Sequence, residues 1–143
     1  MAKPAEKLAE SLETLRRLQE RGVVAIRSAD LTRTHRQRLV KNGFLRDVMK
    51  GWYIPSHPEE TAGESTAWYA SFWHFVAAYL ENRFEADWSL SPEQSILLHA
   101  GSTTVPAQLL VRARKGRNQI TNLPHGTSLL EVRATLPGRS TRV

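Results

Sequence analysis

An α+β fold in two parts is what these 143 residues predict, on three observations. Between Pro4 and Pro55, a leucine-spaced helical stretch, a short helical stretch ended by Gly43, and a tight hairpin follow one another. From Trp68 to Tyr79, aromatic side chains recur at helical spacing. Beyond Asp87, short apolar runs alternate with one well-capped helix.

Composition bounds the class. Hydrophobic residues make up 41% and charged residues 24%, the balance of a folded globular chain and not of a disordered one. No uninterrupted apolar run approaches the roughly 18 residues of a membrane-spanning helix. Met1 to Glu20 mixes Lys and Glu without an apolar stretch, so it does not read as a secretory signal. With no Cys there is no disulfide, no thiolate nucleophile and no cysteine-held zinc or iron–sulfur centre. A cytoplasmic protein is expected.

Each element has a local cause. Leu8, Leu12, Leu15 and Leu18 recur at spacings of four and three, which predicts a helix from Pro4 to Arg21. Pro4 is tolerated in the first turn and Gly22 stops the helix. Val23 to Ile26 reads as extended. Ser28 or Asp30 caps a short turn around Leu31, and Thr34 is expected to cap a second short helix, His35 to Asn42. Gly43 ends it in a left-handed conformation. Phe44 to Val48 and Trp52 to Ile54 are the two strands of a hairpin turned at Met49-Lys50-Gly51 and closed by Pro55. That order is the order of a winged helix-turn-helix.

Residues 56–63 (SHPEETAG) are polar and turn-rich. Ser65 is expected to cap a long helix ending near Phe84. Trp68, Phe72, Phe75, Val76 and Tyr79 share one face, which Tyr69 and Trp73 broaden, so the helix must be buried against something. Asp87 to Leu90 reads as a strand. Ser91-Pro92-Glu93-Gln94 starts a helix that stops near Gly101. Gln108 to Ala113 and Asn118 to Thr121 read as strands, Leu129 to Val132 as a short apolar piece, and Pro137 to Val143 as a frayed tail. The expected organisation is a winged helix-turn-helix domain over 1–56, a linker over 57–64, and a small α/β extension with the long aromatic helix over 65–143.

Charge is divided by region. Residues 1–50 carry 12 basic and 6 acidic side chains, residues 51–100 carry 1 and 7, and residues 101–143 carry 7 and 1, giving +6, −6 and +6. Between Arg27 and Lys50 there are seven basic and two acidic residues, a net +5 over 24 positions. Basic density of this kind faces polyanions. A winged helix lays its second short helix in the major groove, where Arg pairs with guanine and Gln with adenine. The expected DNA-binding residues are Arg27, Arg33, Thr34, His35, Arg36, Gln37, Arg38 and Lys41. Arg46 and Lys50 on the hairpin complete the set by meeting phosphates. A second basic patch is Arg112, Arg114, Lys115 and Arg117.

Catalysis finds little support. His35, His57, His74, His99 and His125 show no metal-ligand spacing, and His74 reads as a partly buried, satisfied histidine within the aromatic helix. No Ser lies in a nucleophile-elbow pattern, and Lys115-Gly116-Arg117 is a turn and not a phosphate-cradling loop. No enzyme, no metal and no cofactor are expected.

The run from Leu15 to Pro55, through Gly22-Val23, Asp30-Leu31, Leu39-Val40, Gly43, Leu45, Lys50-Gly51 and Tyr53, resembles the N-terminal winged helix of the AbiEi family of type IV antitoxins. Leu90 to Gly116 is similar to the region that follows it there. The layout, with GESTAWYASFW, also resembles the N-terminal accessory region of some Fic-family proteins, without any H-x-F-x-(D/E)-G-N-G-R catalytic run. The resemblance implies promoter binding and autorepression by the winged helix, and antitoxin function by the rest, in a toxin–antitoxin system of phage defence. Arg36 stands where that family usually has an apolar core residue, and the sequence stops soon after Leu136 where the antitoxins continue.

Two functions follow as expectations. The first is a DNA-binding transcriptional regulator of antitoxin or autorepressor type, with double-stranded DNA as partner and a homodimer as the matching form. The alternative is a non-catalytic, protein-binding inhibitor from a mobile element, of antitoxin or anti-CRISPR type, that blocks a toxin or a nucleic-acid machine.

Overall fold

The computed structural model describes residues 3–60 and 63–135; the expected tail, 137–143, and part of the expected linker lie outside them. The fold is mixed α+β, with two sheets and several helices. It divides into two compact units, residues 1–75 and 76–143, with the division falling inside the long aromatic helix.

In the first unit, α1 runs Pro4–Glu20. Its inward face is Ser11, Leu15 and Leu18, while Leu8 and Leu12 are half-buried, so the buried stripe is turned slightly from the leucine row. On its exposed side Arg16 pairs with Glu13 and Glu20. After Gly22 comes β1 (Ile26–Arg27) and a single 3-10 turn (Ser28–Asp30), in which the Asp30 carboxylate accepts from the Arg27 N–H at 2.9 Å.

Helix α2 spans Arg33–Lys41. Its cap is Thr32, whose hydroxyl accepts from the His35 N–H at 3.3 Å, and not Thr34, which lies inside the first turn. The end is as expected. Gly43 sits at φ +84°, and the bonds from Gly43 N to Val40 O (3.2 Å) and from Phe44 N to Leu39 O (2.9 Å) satisfy the last carbonyls in a Schellman arrangement. A Cβ at Gly43 would also lie 3.0 Å from Pro58 Cα, so glycine is required there twice over.

Strands β2 (Leu45–Met49) and β3 (Trp52–Pro55) form the expected hairpin, each within a residue of its predicted bounds. The antiparallel sheet has the order β1-β3-β2, with an irregularity between Asp47 and Met49. Pro55 is accommodated because β1 reaches only Trp52 and Tyr53 of β3. The core of this part is Leu15, Leu18, Ile26, Leu31, Leu39 and Leu45.

Helix α3 covers Thr66–Phe84. Trp68, Phe72, Phe75, Val76 and Tyr79 are buried, together with Leu80 and Phe84. Trp68 meets Phe72 edge-on at 5.5 Å, and Trp52 meets Phe75 edge-on at 5.6 Å. Tyr69 does not belong to this face and stays 42% exposed, and His74 is exposed, not partly buried. The first turn is tied by an acid from before the helix: Glu60 Oε1 accepts from the Ala67 N–H at 3.1 Å.

The second unit holds β4 (Trp88–Leu90), α4 (Pro92–His99), β5 (Gln108–Ala113), β6 (Gln119–Asn122) and β7 (Ser128–Arg133). Ser91 caps α4 as expected, accepting from the Gln94 N–H at 3.2 Å. The sheet order is β4-β5-β7-β6, with β5 and β7 parallel and the outer pairs antiparallel. The piece predicted at Leu129 to Val132 is thus a six-residue strand at the sheet's centre. Leu109, Val111, Ala113, Leu129 and Glu131 alternate inward and are buried. Glu131 alone among them is charged. Arg83 answers it, donating Nε to Oε1 and Nη2 to Oε2, both at 2.8 Å, while the Arg117 N–H donates to Oε2 at 2.6 Å. Among the described residues, no buried side-chain polar atom lacks a partner, and no helix is long and apolar enough to cross a membrane.

Candidate nucleic-acid interface

Helix α2 sorts its side chains by periodicity. Arg33, Gln37 and Lys41 fall at i, i+4 and i+8 with Thr34 beside them, and all four are exposed. Leu39 is buried on the opposite side, and His35, Arg36 and Arg38 lie between. A hollow of about 560 Å³ runs along the exposed stripe, bounded by the first turns of α1 and including Pro4, Leu8, Thr34, Gln37 and Lys41. Lys50 is exposed at the hairpin turn, and Arg27 is exposed with its guanidinium 5.4 Å from the Trp52 ring centroid.

The other four residues expected to meet DNA make bonds within the chain. Arg36 Nη1 donates to the Ser28 and Leu31 carbonyls at 2.8 and 3.1 Å, tying α2 to the 3-10 turn. Arg36 is half-buried, and its head satisfies two carbonyls. Arg38 Nη1 donates to Lys7 O at 3.0 Å and to Ser11 Oγ at 2.9 Å. Ser11 Oγ lies 2.7 Å from His35 Nδ1. A Ser–His pair at that distance has the spacing of a nucleophile and its base. Ser11 has no accessible surface, however, so no substrate reaches it, and the pair acts as a bond between α1 and α2.

Arg46 is held in the same way. Its Nε donates to Ser56 Oγ at 3.0 Å and its Nη2 to Glu60 O at 3.1 Å, with the Glu60 carboxylate 3.7 Å away. Burial opposes ionisation of Glu60. The Ala67 N–H, the Ser56 hydroxyl and Arg46 outweigh it and hold the carboxyl below its ordinary value. Burial likewise opposes ionisation of Glu131, and there Arg83 and the Arg117 N–H prevail. Arg83 is raised in turn, chiefly by its bonds to Glu131.

In the second basic patch, Arg112 is exposed on β5, and Arg114, Lys115 and Arg117 are exposed around the turn that follows. Arg133 joins them, its Nε donating to the Arg114 carbonyl at 3.3 Å. It is distant in sequence, and only the parallel pairing of β5 with β7, which sets Ala113 opposite Arg133, brings it in. The roles of Ser11 and Glu60 are likewise beyond the reach of sequence reasoning. A small polar residue on the leucine side of an amphipathic helix is the available signal for Ser11. Among the described residues, no group of three or more His, Cys, Asp or Glu is placed to hold a metal ion.

No protein-family model, no curated protein and no solved structure matches this chain.

Proposed function

We propose that the chain is a DNA-binding transcriptional regulator of autorepressor type, and that residues 4–55 work as a winged helix-turn-helix. The element order α1, β1, 3-10 turn, α2 and hairpin, with the sheet order β1-β3-β2, supports that reading. In it α2 is the groove-reading helix and the β2–β3 turn is the wing. The observation that carries it is the exposed stripe Arg33, Thr34, Gln37 and Lys41 on the side of α2 away from Leu39.

In this mechanism Arg33 and Gln37 offer long donors to base edges, and Thr34 and Lys41 hold phosphates on either side. Lys50 meets the backbone from the wing. Arg36, Arg38, His35 and Arg46 act one step back, fixing α2 against α1 and the hairpin so that the stripe is presented as a rigid unit. The similarity to AbiEi antitoxins favours an operator near the chain's own promoter and a place in a toxin–antitoxin system.

The test is binding of the purified chain to duplex DNA of random sequence at low and at physiological salt. Binding that weakens steeply with salt supports the reading, because neutralised phosphates release counterions. No binding at low salt refutes it. The alternative, a protein-binding inhibitor, is favoured by one separate observation. A cleft of about 720 Å³ in the first unit is floored by Leu12, Leu15, Phe44 and Ala70 and rimmed by Glu59 and Glu64, a lining that suits a protein or small-molecule partner and repels phosphates.

A further inference from the structure

On α1 the exposed arginines carry their own counter-charges: Arg16 pairs with Glu13 and Glu20, and Arg17 with Glu13. The second unit does the opposite. Arg112, Arg114, Lys115, Arg117 and Arg133 are all exposed, and among the described residues none of them forms a side-chain ion pair. From Gln94 to Thr135 the one acidic residue is Glu131, and its carboxylate is buried and taken by Arg83 and the Arg117 N–H. The turn that carries these cations is also fixed at successive backbone positions. Gly116 N–H donates to the Ala113 carbonyl at 3.1 Å, Arg117 N–H to Glu131 Oε2 at 2.6 Å, and Arg133 N–H to Asn118 Oδ1 at 2.8 Å. Gly116 itself is pressed against the β7 backbone at Val132. A hollow of about 350 Å³ is lined by Arg114, Arg133, Ala134 and Thr135. The buried carboxylate thus shapes the turn from within and leaves its surface charge uncompensated.

We infer that residues 112–117, with Arg133 beside them, are a second nucleic-acid contact that grips the phosphate backbone of duplex DNA. Unpaired cations held on a fixed frame displace the counterions of a polyanion without first breaking bonds of their own, and such contacts carry no sequence information. The exposed residues of 112–118, and Arg133, are all polar, so the patch lacks the apolar anchor around which protein interfaces are built. From Gln94 to Thr135 there is no Phe, Tyr or Trp, so the bases of a single strand find no ring to stack on. A duplex backbone needs neither. This inference goes beyond the reading of α2 and does not depend on it.

The test is anisotropy of a labelled random-sequence duplex over a range of salt, with three full-length chains: wild type, Arg114→Gln/Lys115→Gln/Arg117→Gln, and Arg33→Ala/Lys41→Ala. The triple substitution is expected to weaken binding about tenfold at low salt and to reduce the slope of log affinity against log salt by about two to three. Its urea midpoint is expected to match the wild type, because all three side chains are exposed. A single strand of the same length is expected to bind the wild type more weakly and to lose less on the triple substitution. Equal affinity and slope with and without the triple substitution overturns the proposal, as does a wild-type chain that leaves the duplex unbound at low salt. A single strand held through the patch as tightly as the duplex overturns the duplex assignment. Failure of the α2 reading looks different: Arg33→Ala/Lys41→Ala then binds as the wild type does, while the triple substitution still weakens binding. Should the triple variant unfold, amide shifts of the wild type decide. Changes on adding duplex at residues 112–117 support the contact, and changes confined to other residues overturn it.

Discussion

Arg38 Nη1 donates to Ser11 Oγ at 2.9 Å, across 27 positions of sequence, and so joins α2 to the buried side of α1. The same nitrogen takes the Lys7 carbonyl, and Ser11 also meets His35. Basic residues that look alike in the sequence are divided by such bonds into those that build the first unit and those that its surface displays.

Arg38→Ala is therefore expected to act on stability. It strips a buried hydroxyl and a backbone carbonyl of a charged donor, at a cost of about 1–3 kcal/mol. Thermal or urea unfolding checks this. Arg33→Ala and Lys41→Ala, whose side chains are exposed, are expected to leave the unfolding midpoint within about 0.5 kcal/mol of the wild type.

Glu131 is fully buried, and the Arg83 guanidinium is its chief partner. Arg83→Ala leaves that carboxylate with the Arg117 N–H alone and is expected to cost about 3–5 kcal/mol in the second unit. An unfolding curve of the full chain followed by Trp88 fluorescence, with the other tryptophans replaced by Phe, reads that unit's loss.

The acid limb of stability follows from the same pair and from Glu60. Both carboxyls are held below their ordinary values in the folded chain. Their contribution is complete above the unfolded carboxylate pKa of about 4.3, and it is lost as pH falls below that through the depressed folded values. Urea midpoints are expected to be flat from neutrality down to about pH 5 and to fall steeply below it. Glu131→Gln is expected to start lower and fall less.

Gly116 meets the β7 backbone closely. A Cβ there would lie 2.8 Å from the Val132 carbonyl oxygen and 2.9 Å from its carbon, and neither is a side chain that can swing aside. Gly116→Ala is expected to cost about 1–3 kcal/mol by forcing the strand to shift, read as a lower urea midpoint. Gly22→Ala offers a comparison that separates crowding from backbone conformation, since its Cβ would meet nothing within 4 Å although its φ is +79°.

What the sequence made legible was local. Gly43, Ser91-Pro92 and Lys50-Gly51 place helix ends and a turn through backbone chemistry confined to a few residues, and the structure has them where they were expected. Spacing placed Trp68, Phe72, Phe75 and Tyr79 on one buried face. The shift of the cap from Thr34 to Thr32 is the ambiguity of two capping residues within one turn. Long-range relations stayed hidden. The parallel pairing of β5 with β7 depends on which strand edges meet, and no periodicity records that. Within the candidate interface, Arg33 and Arg36 are indistinguishable by type. Only the position of the Ser28 and Leu31 carbonyls assigns Arg36 to the frame and leaves Arg33 at the surface.

The exposed face of α2 is tested by fluorescence anisotropy of a labelled duplex titrated with wild-type chain and with an Arg33→Ala/Lys41→Ala chain at two salt concentrations. The wild type is expected to bind at low salt and to weaken as salt rises. The double variant is expected to fold normally, bind at least about tenfold more weakly, and show a salt slope smaller by about one for each phosphate it no longer neutralises. Equal binding and equal slopes for the two chains would contradict the assignment of that face.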